Sequence, residues 1–88
     1  QIRESIKARQ VLDVGYQDEA GGRSERSVWP LGLVFWGRVW TLVAWCELRQ
    51  DYRMFRLDRI QSLQQLERHF QTTKEINLQV YWANQVEN

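Results

Sequence analysis

The chain has 88 residues, twelve of them Lys or Arg and eleven Asp or Glu, which gives a formal net charge of +1. This length allows one domain burying only roughly 60 to 65 per cent of its unfolded surface, and five Trp, three Tyr and three Phe supply the bulk that so small a core needs. The near-neutral balance excludes a nucleic-acid binder that works by bulk positive charge, the single Cys excludes an internal disulfide, the lone His leaves no metal-ligand set, and no apolar run approaches the roughly 20 residues of a membrane helix.

Ile2 and Ile6 lie four apart among Arg3, Glu4, Ser5 and Lys7, a spacing that predicts a short helix over residues 1–9. From Val11 the period changes to two, with Leu12, Val14 and Tyr16 on one face, and the acidic, glycine-rich Gln17 to Gly22 closes that strand with a turn. Ser24 to Trp29 extends again. Pro30 removes a ladder hydrogen bond and Gly32 weakens the alternation of Leu31 to Trp36, so a kinked or bulged second strand is expected. Gly37-Arg38 makes a tight connection to Val39 to Leu48, whose β-branched and aromatic residues, apolar on both faces, mark a central strand. A polar turn over Arg49 to Tyr52 leads to a fourth strand, Arg53 to Ile60. Beyond it Leu63, Leu66 and Phe70 have helical spacing while Ile60 to Leu63 continues the strand, and strand is assigned to about residue 64. The tail alternates Ile76, Leu78, Val80 and Trp82, a pattern that calls for a sheet edge to pair with. These elements predict a mainly β protein, a small antiparallel barrel behind one short N-terminal helix. The chain opens at Gln1, without an initiator Met, and reads as a piece excised from a longer polypeptide.

Ten of the twelve bases are Arg, a choice that favours planar, bidentate or stacked contacts over diffuse attraction. Arg49, Arg53, Arg56 and Arg59 follow directly on the most hydrophobic strand. In an extended chain Arg53 shares a face with Phe55 and Leu57, while Arg56 points the other way with Met54 and Asp58. Two readings stand side by side: Arg53, Arg56 and Arg59 form an anion cradle, or they pair with Asp51, Asp58 and Glu47 as a solvated face. Ser24 and Arg26 either reach the same pocket from its rim or solubilise a loop. Tyr52, at the turn before the arginines, is the exposed candidate for stacking, whereas most of the Trp residues belong to the core. His69 has no Ser or Cys at a catalytic spacing and reads as a surface residue. Cys46 shares a face with Trp40, Leu42 and Ala44 and reads as a small buried hydrophobe. Neither catalysis nor a cofactor is expected.

Two ordered blocks, Ser24-x-Arg26-x-Val28-x-Pro30-Leu31 and Arg53-x-Phe55-Arg56-Leu57-Asp58-Arg59-Ile60, together with the apolar run between them, resemble the WYL domain, the regulatory module of many bacterial YafY-like helix-turn-helix transcription factors. The resemblance covers about residues 1–70 and implies an Sm-like or SH3-like β-barrel, with residues 71–88 a C-terminal extension or the start of a linker to a missing domain. It implies a ligand-sensing domain of a cytoplasmic transcription factor that binds an anionic ligand, a nucleotide or single-stranded nucleic acid, in an arginine-lined groove. Arg53 and Arg56 would bind, joined by Arg26 and Ser24 from the second strand, by Thr41 at the floor and by Tyr52 and Arg59. Duplex DNA would be read by an N-terminal helix-turn-helix domain outside this sequence, in a full-length homodimer, with no membrane partner. This chain has Trp40-Thr41-Leu42 where the family has Trp-Tyr-Leu, so a short hydroxyl that offers only a hydrogen bond stands in place of an aromatic one. The other classes consistent with the residues are a free-standing Sm/SH3-like nucleic-acid-binding barrel and a protein-interaction barrel whose arginines clasp acidic partner segments.

Overall fold

A computed structural model describes residues 2–87. Helix α1 (Ile2–Ala8) is followed by strands β1 (Gln10–Gln17), β2 (Arg23–Trp36), β3 (Val39–Cys46) and β4 (Asp51–Arg56), a single 3-10 turn (Leu57–Arg59), β5 (Ile60–His69) and helix α2 (Leu78–Glu87). The strands form one antiparallel sheet in the order β4-β3-β2-β1-β5. The fold is thus mainly β with a short N-terminal helix, as expected. The edge strands β4 and β5 are joined through the 3-10 turn and not by a ladder, so the barrel is an open sheet bent on itself. Tyr16 of β1 spans the gap: its ring meets Phe55 of β4 edge-on at 5.1 Å, and its hydroxyl accepts the Arg56 backbone N–H at 3.1 Å.

Alternation along β1 and β3 builds the inner face. Leu12, Val14, Val28, Leu42, Ala44, Cys46 and Phe55 are fully buried there with Tyr16. Ile2 and Ile6 of α1 close one end, and the buried Ser5 hydroxyl accepts a hydrogen bond from the Gln65 side chain at 2.6 Å. The kink in β2 takes the form of a register shift between Pro30 and Gly32, where the pairing steps from Ala44 to Val43 and leaves Leu31 as the extra residue. Gly37 sits at φ +56° in the turn to β3, a conformation that glycine adopts without a Cβ penalty.

Two expectations are corrected. Strand β5 runs to His69, beyond residue 64, because β1 offers ladder partners out to the Gln10–His69 pair and that pairing outweighs the helical spacing of Leu63, Leu66 and Phe70. The alternating tail is a helix, not a strand. The Asn77 side chain accepts the Val80 N–H at 2.8 Å, an N-cap that starts α2, and Leu78, Tyr81 and Trp82 then share one side of the helix at intervals of three and four. This tail covers the outer face of the sheet, where Val11, Leu31 and Phe70 form a second core with Trp29, Trp45, Tyr52, Leu66 and Leu78. A Cβ on Gly32 would stand 2.8 Å from the Leu78 side chain, so a glycine is what lets α2 approach β2 so closely.

Candidate anion site

Strand pairing sorts six of the seven expected residues between two faces, and the seventh, Arg59, lies in the 3-10 turn. Ala44 pairs with Arg53, Leu42 with Phe55 and Val14 with Arg26, which places Arg53, Arg26 and Ser24 (opposite Tyr16) on the inner face with the main core. Thr41 pairs with Arg56 and Trp45 with Tyr52, so these three belong to the outer rows. The expected residues are not gathered at one cavity: Tyr52 and Arg53, from opposite faces, share one, and Ser24 lines a different one. Ser24 lines a hollow of about 680 Å³ with Gly15, Tyr16, Arg23, Glu25, Gln61 and Ser62. Tyr52 and Arg53 line another of about 500 Å³ between β4 and α2.

The arginines differ in their partners. The Arg56 guanidinium binds both oxygens of Asp58, at 3.1 and 2.7 Å, and this exposed pair holds the Asp58 carboxyl below its ordinary range. Arg59 reaches Glu19 at 4.0 Å. Both follow the solvated-face reading. Among the described residues no carboxylate pairs with Arg53 or Arg26. Arg53 lies over the Phe55 ring, 5.8 Å from its centroid, a cation–π contact that uses the face of the guanidinium and leaves its edge for an acceptor. Arg26 donates from Nη1 to the Glu25 carbonyl at 3.0 Å, while its Nε is buried with no hydrogen-bond partner among the described residues.

Thr41 is 3% exposed, beneath Arg56 and not on the arginine-bearing inner face. Tyr52, expected as an exposed platform, is half-buried under the tail. Its hydroxyl donates to the Glu75 or Asn77 carbonyl, at 2.9 and 3.2 Å, and accepts the Asn77 N–H at 3.1 Å; its ring packs against Trp45 and Tyr81. The same contacts continue as a chain of rings, Phe70, Trp29, Trp45, Tyr52, Tyr81, Trp82 and Trp36, across the outer face. Cys46 is buried and unpaired, as its strand face implied. Arg68 forks onto both oxygens of Glu47 at 3.0 Å, and Glu47 also accepts the Trp29 indole N–H at 2.9 Å; these donors, Arg68 first, hold the Glu47 carboxyl below its ordinary range. Sequence reasoning passed over Tyr16, whose place as the last residue of an alternating strand gave no sign that it bridges to β4. It passed over Arg23, Gln61 and Ser62 as well, because the pairing of β5 with β1 at Gly15 was not foreseen.

The model of the WYL domain family matches residues 1–65, about three quarters of the chain. The chain belongs to the WYL domain family. Among solved structures it is similar to proteasome accessory factor B/C (PafBC) of Arthrobacter aurescens, with 32% sequence identity and a TM-score of 0.72 over 77% of this chain and 11% of that one. The chain thus spans about a tenth of the length of that relative. Membership in the family and the likeness to PafBC support a regulatory domain of transcription factors and point away from an enzymatic role. No helix among the described residues is long and apolar enough to cross a membrane.

Proposed function

We propose that this WYL domain is the ligand-sensing part of a bacterial transcription factor and that it binds an anionic ligand, a nucleotide or single-stranded nucleic acid, on the inner face at Arg26 and Arg53. The observation that carries this reading is the Arg26 Nε, buried without an acceptor. A buried donor left unpaired costs about 1–3 kcal/mol, a penalty that a phosphate oxygen would remove when the Arg26 side chain turns its Nε outward on binding. Arg53 extends the same face across Phe55 toward the open edge of β4, with Ser24 at the rim. Arg56 and Arg59 join only by leaving Asp58 and Glu19, and Thr41 and Tyr52 act behind them as supports. Ligand and DNA would then be coupled through the rest of a cytoplasmic, homodimeric regulator whose duplex-reading domain lies elsewhere, each state making different contacts with the ligand.

Five Trp residues provide the readout. Titration with mononucleotides and with a short single-stranded DNA, each at two salt concentrations, should change the tryptophan fluorescence saturably, and binding should weaken as salt rises. An unchanged spectrum with both classes of ligand refutes the reading.

A further inference from the structure

The β2–β3 hairpin ends in a surface that the inner face does not use. Phe35, Trp36 and Trp40 are 54, 47 and 42% exposed, three of the five large apolar side chains that stand out in solvent among the described residues. Beside them a hollow of about 330 Å³ opens between α1 and the hairpin, lined by Ile6, Gly32, Leu33 and Trp40, with Arg3 at its rim. That volume exceeds one large apolar side chain, and its floor is apolar. The charge around it is mainly positive: the hairpin from Leu31 to Cys46 contains Arg38 and no carboxylate, and α1 carries Arg3 and Lys7 beside one carboxylate, Glu4.

The ring geometry favours a polypeptide over stacked bases. Base stacking needs an open ring face. The Arg3 guanidinium lies over Trp40 at 5.6 Å, Phe35 leans on Trp40 at 58°, and Trp36 meets Trp82 edge-on, so the aromatics form pocket walls and not a parallel ladder. The ladder between β1 and β2 ends at Leu12–Val28, and beyond it β2 pairs with β3 while α1 packs beside it, which leaves the hollow between helix and hairpin.

We propose that the α1–hairpin cleft docks an extended segment of another protein, one that places a single large apolar side chain beside Trp40 and carboxylates against Arg3 and Arg38. The test is selection of a random peptide library displayed on phage against the immobilised 88-residue chain. Selected peptides should carry a Leu, Phe or Trp flanked by Asp or Glu. A synthetic copy should shift the amide resonances of Gly32 and Gly37 and the Trp40 indole. Charge reversal at two exposed positions, Arg3→Glu with Arg38→Glu, should weaken that copy by about tenfold or more, and Arg53→Ala should leave it unchanged. An empty selection, basic or featureless peptides, binding that survives the double reversal, or a short single-stranded DNA that moves the same resonances would each overturn the proposal. Sedimentation showing that the chain self-associates through this hairpin would overturn it too. Because the readout lies at Gly32, Gly37 and Trp40, its failure is separate from any failure of the inner-face anion site.

Discussion

Arg53 and Arg56 stand three residues apart on one strand, and the two sides of the sheet give them different fates. On the inner side, Arg53 and Arg26 border a core whose buried residues all come from strands, and neither has a carboxylate partner among the described residues. On the outer side, Arg56 is neutralised by Asp58, two residues along the chain, and the apolar residues of the same rows are covered by a tail distant in sequence. The difference shows how local charge decides what an arginine is for. A guanidinium with an acid at hand is a surface pair of little energetic weight, whereas one held away from acids keeps its binding capacity.

Removing inner-face bulk should have the largest effect on stability. Phe55 is fully buried and touches Tyr16 across the open seam, so Phe55→Ala should cost about 3–5 kcal/mol in denaturant unfolding, and Leu42→Ala about 2–5. A loss under 1 kcal/mol at either position would place the stabilising core on the other side of the sheet. The outer side should respond more gently. Tyr52→Phe deletes the hydroxyl that ties β4 to residues 75–77 and should cost about 0.5–1.5 kcal/mol. Its amides from 73 to 81 should also exchange faster, and unchanged protection there would mean that the tail is held by packing alone.

A smaller effect depends on pH. The Glu47 carboxyl is held below its ordinary value of 4.5 by Arg68 and Trp29, so folding favours its ionised form. The resulting stability is present above the unfolded value and is lost as pH falls through the lower folded one. Glu47→Gln should therefore destabilise the protein at neutral pH, and the gap from wild type should narrow as pH falls below 4.5. A gap that stays constant across this range would assign the loss to packing.

The contrast between the two sides also explains what could be read in the sequence. Leu12, Val14 and Tyr16, and then Leu42, Ala44 and Cys46, announce their face by alternation because the strands themselves supply both surfaces of the inner core. The Pro30–Gly32 interruption marked a bulge for the same local reason. Outer cover was harder to read, since Val43 and Trp45 say that something lies over them but not what. Residues 76, 78, 80 and 82 alternate as a strand does, and the Asn77 cap with Leu78, Tyr81 and Trp82 at helical spacing was the competing signal. Parity along β4 separated Arg53 from Arg56 correctly, but the pull of Asp58 on Arg56 and the burial of the Arg26 Nε depend on side-chain directions that no spacing encodes. The fork of Arg68 onto Glu47 joins β5 to the β3–β4 turn, across a sequence distance that pattern reading does not span.

The account rests most directly on one comparison of affinities, made by tryptophan fluorescence with the same short single-stranded DNA. Arg26→Ala and Arg53→Ala should each weaken binding by roughly 1.5–3 kcal/mol and flatten its salt dependence, while the exposed control Arg38→Ala should change neither and Arg56→Ala should fall between them. Equal losses at all four arginines would mean diffuse attraction, and undiminished binding in both inner-face variants would contradict the anion site.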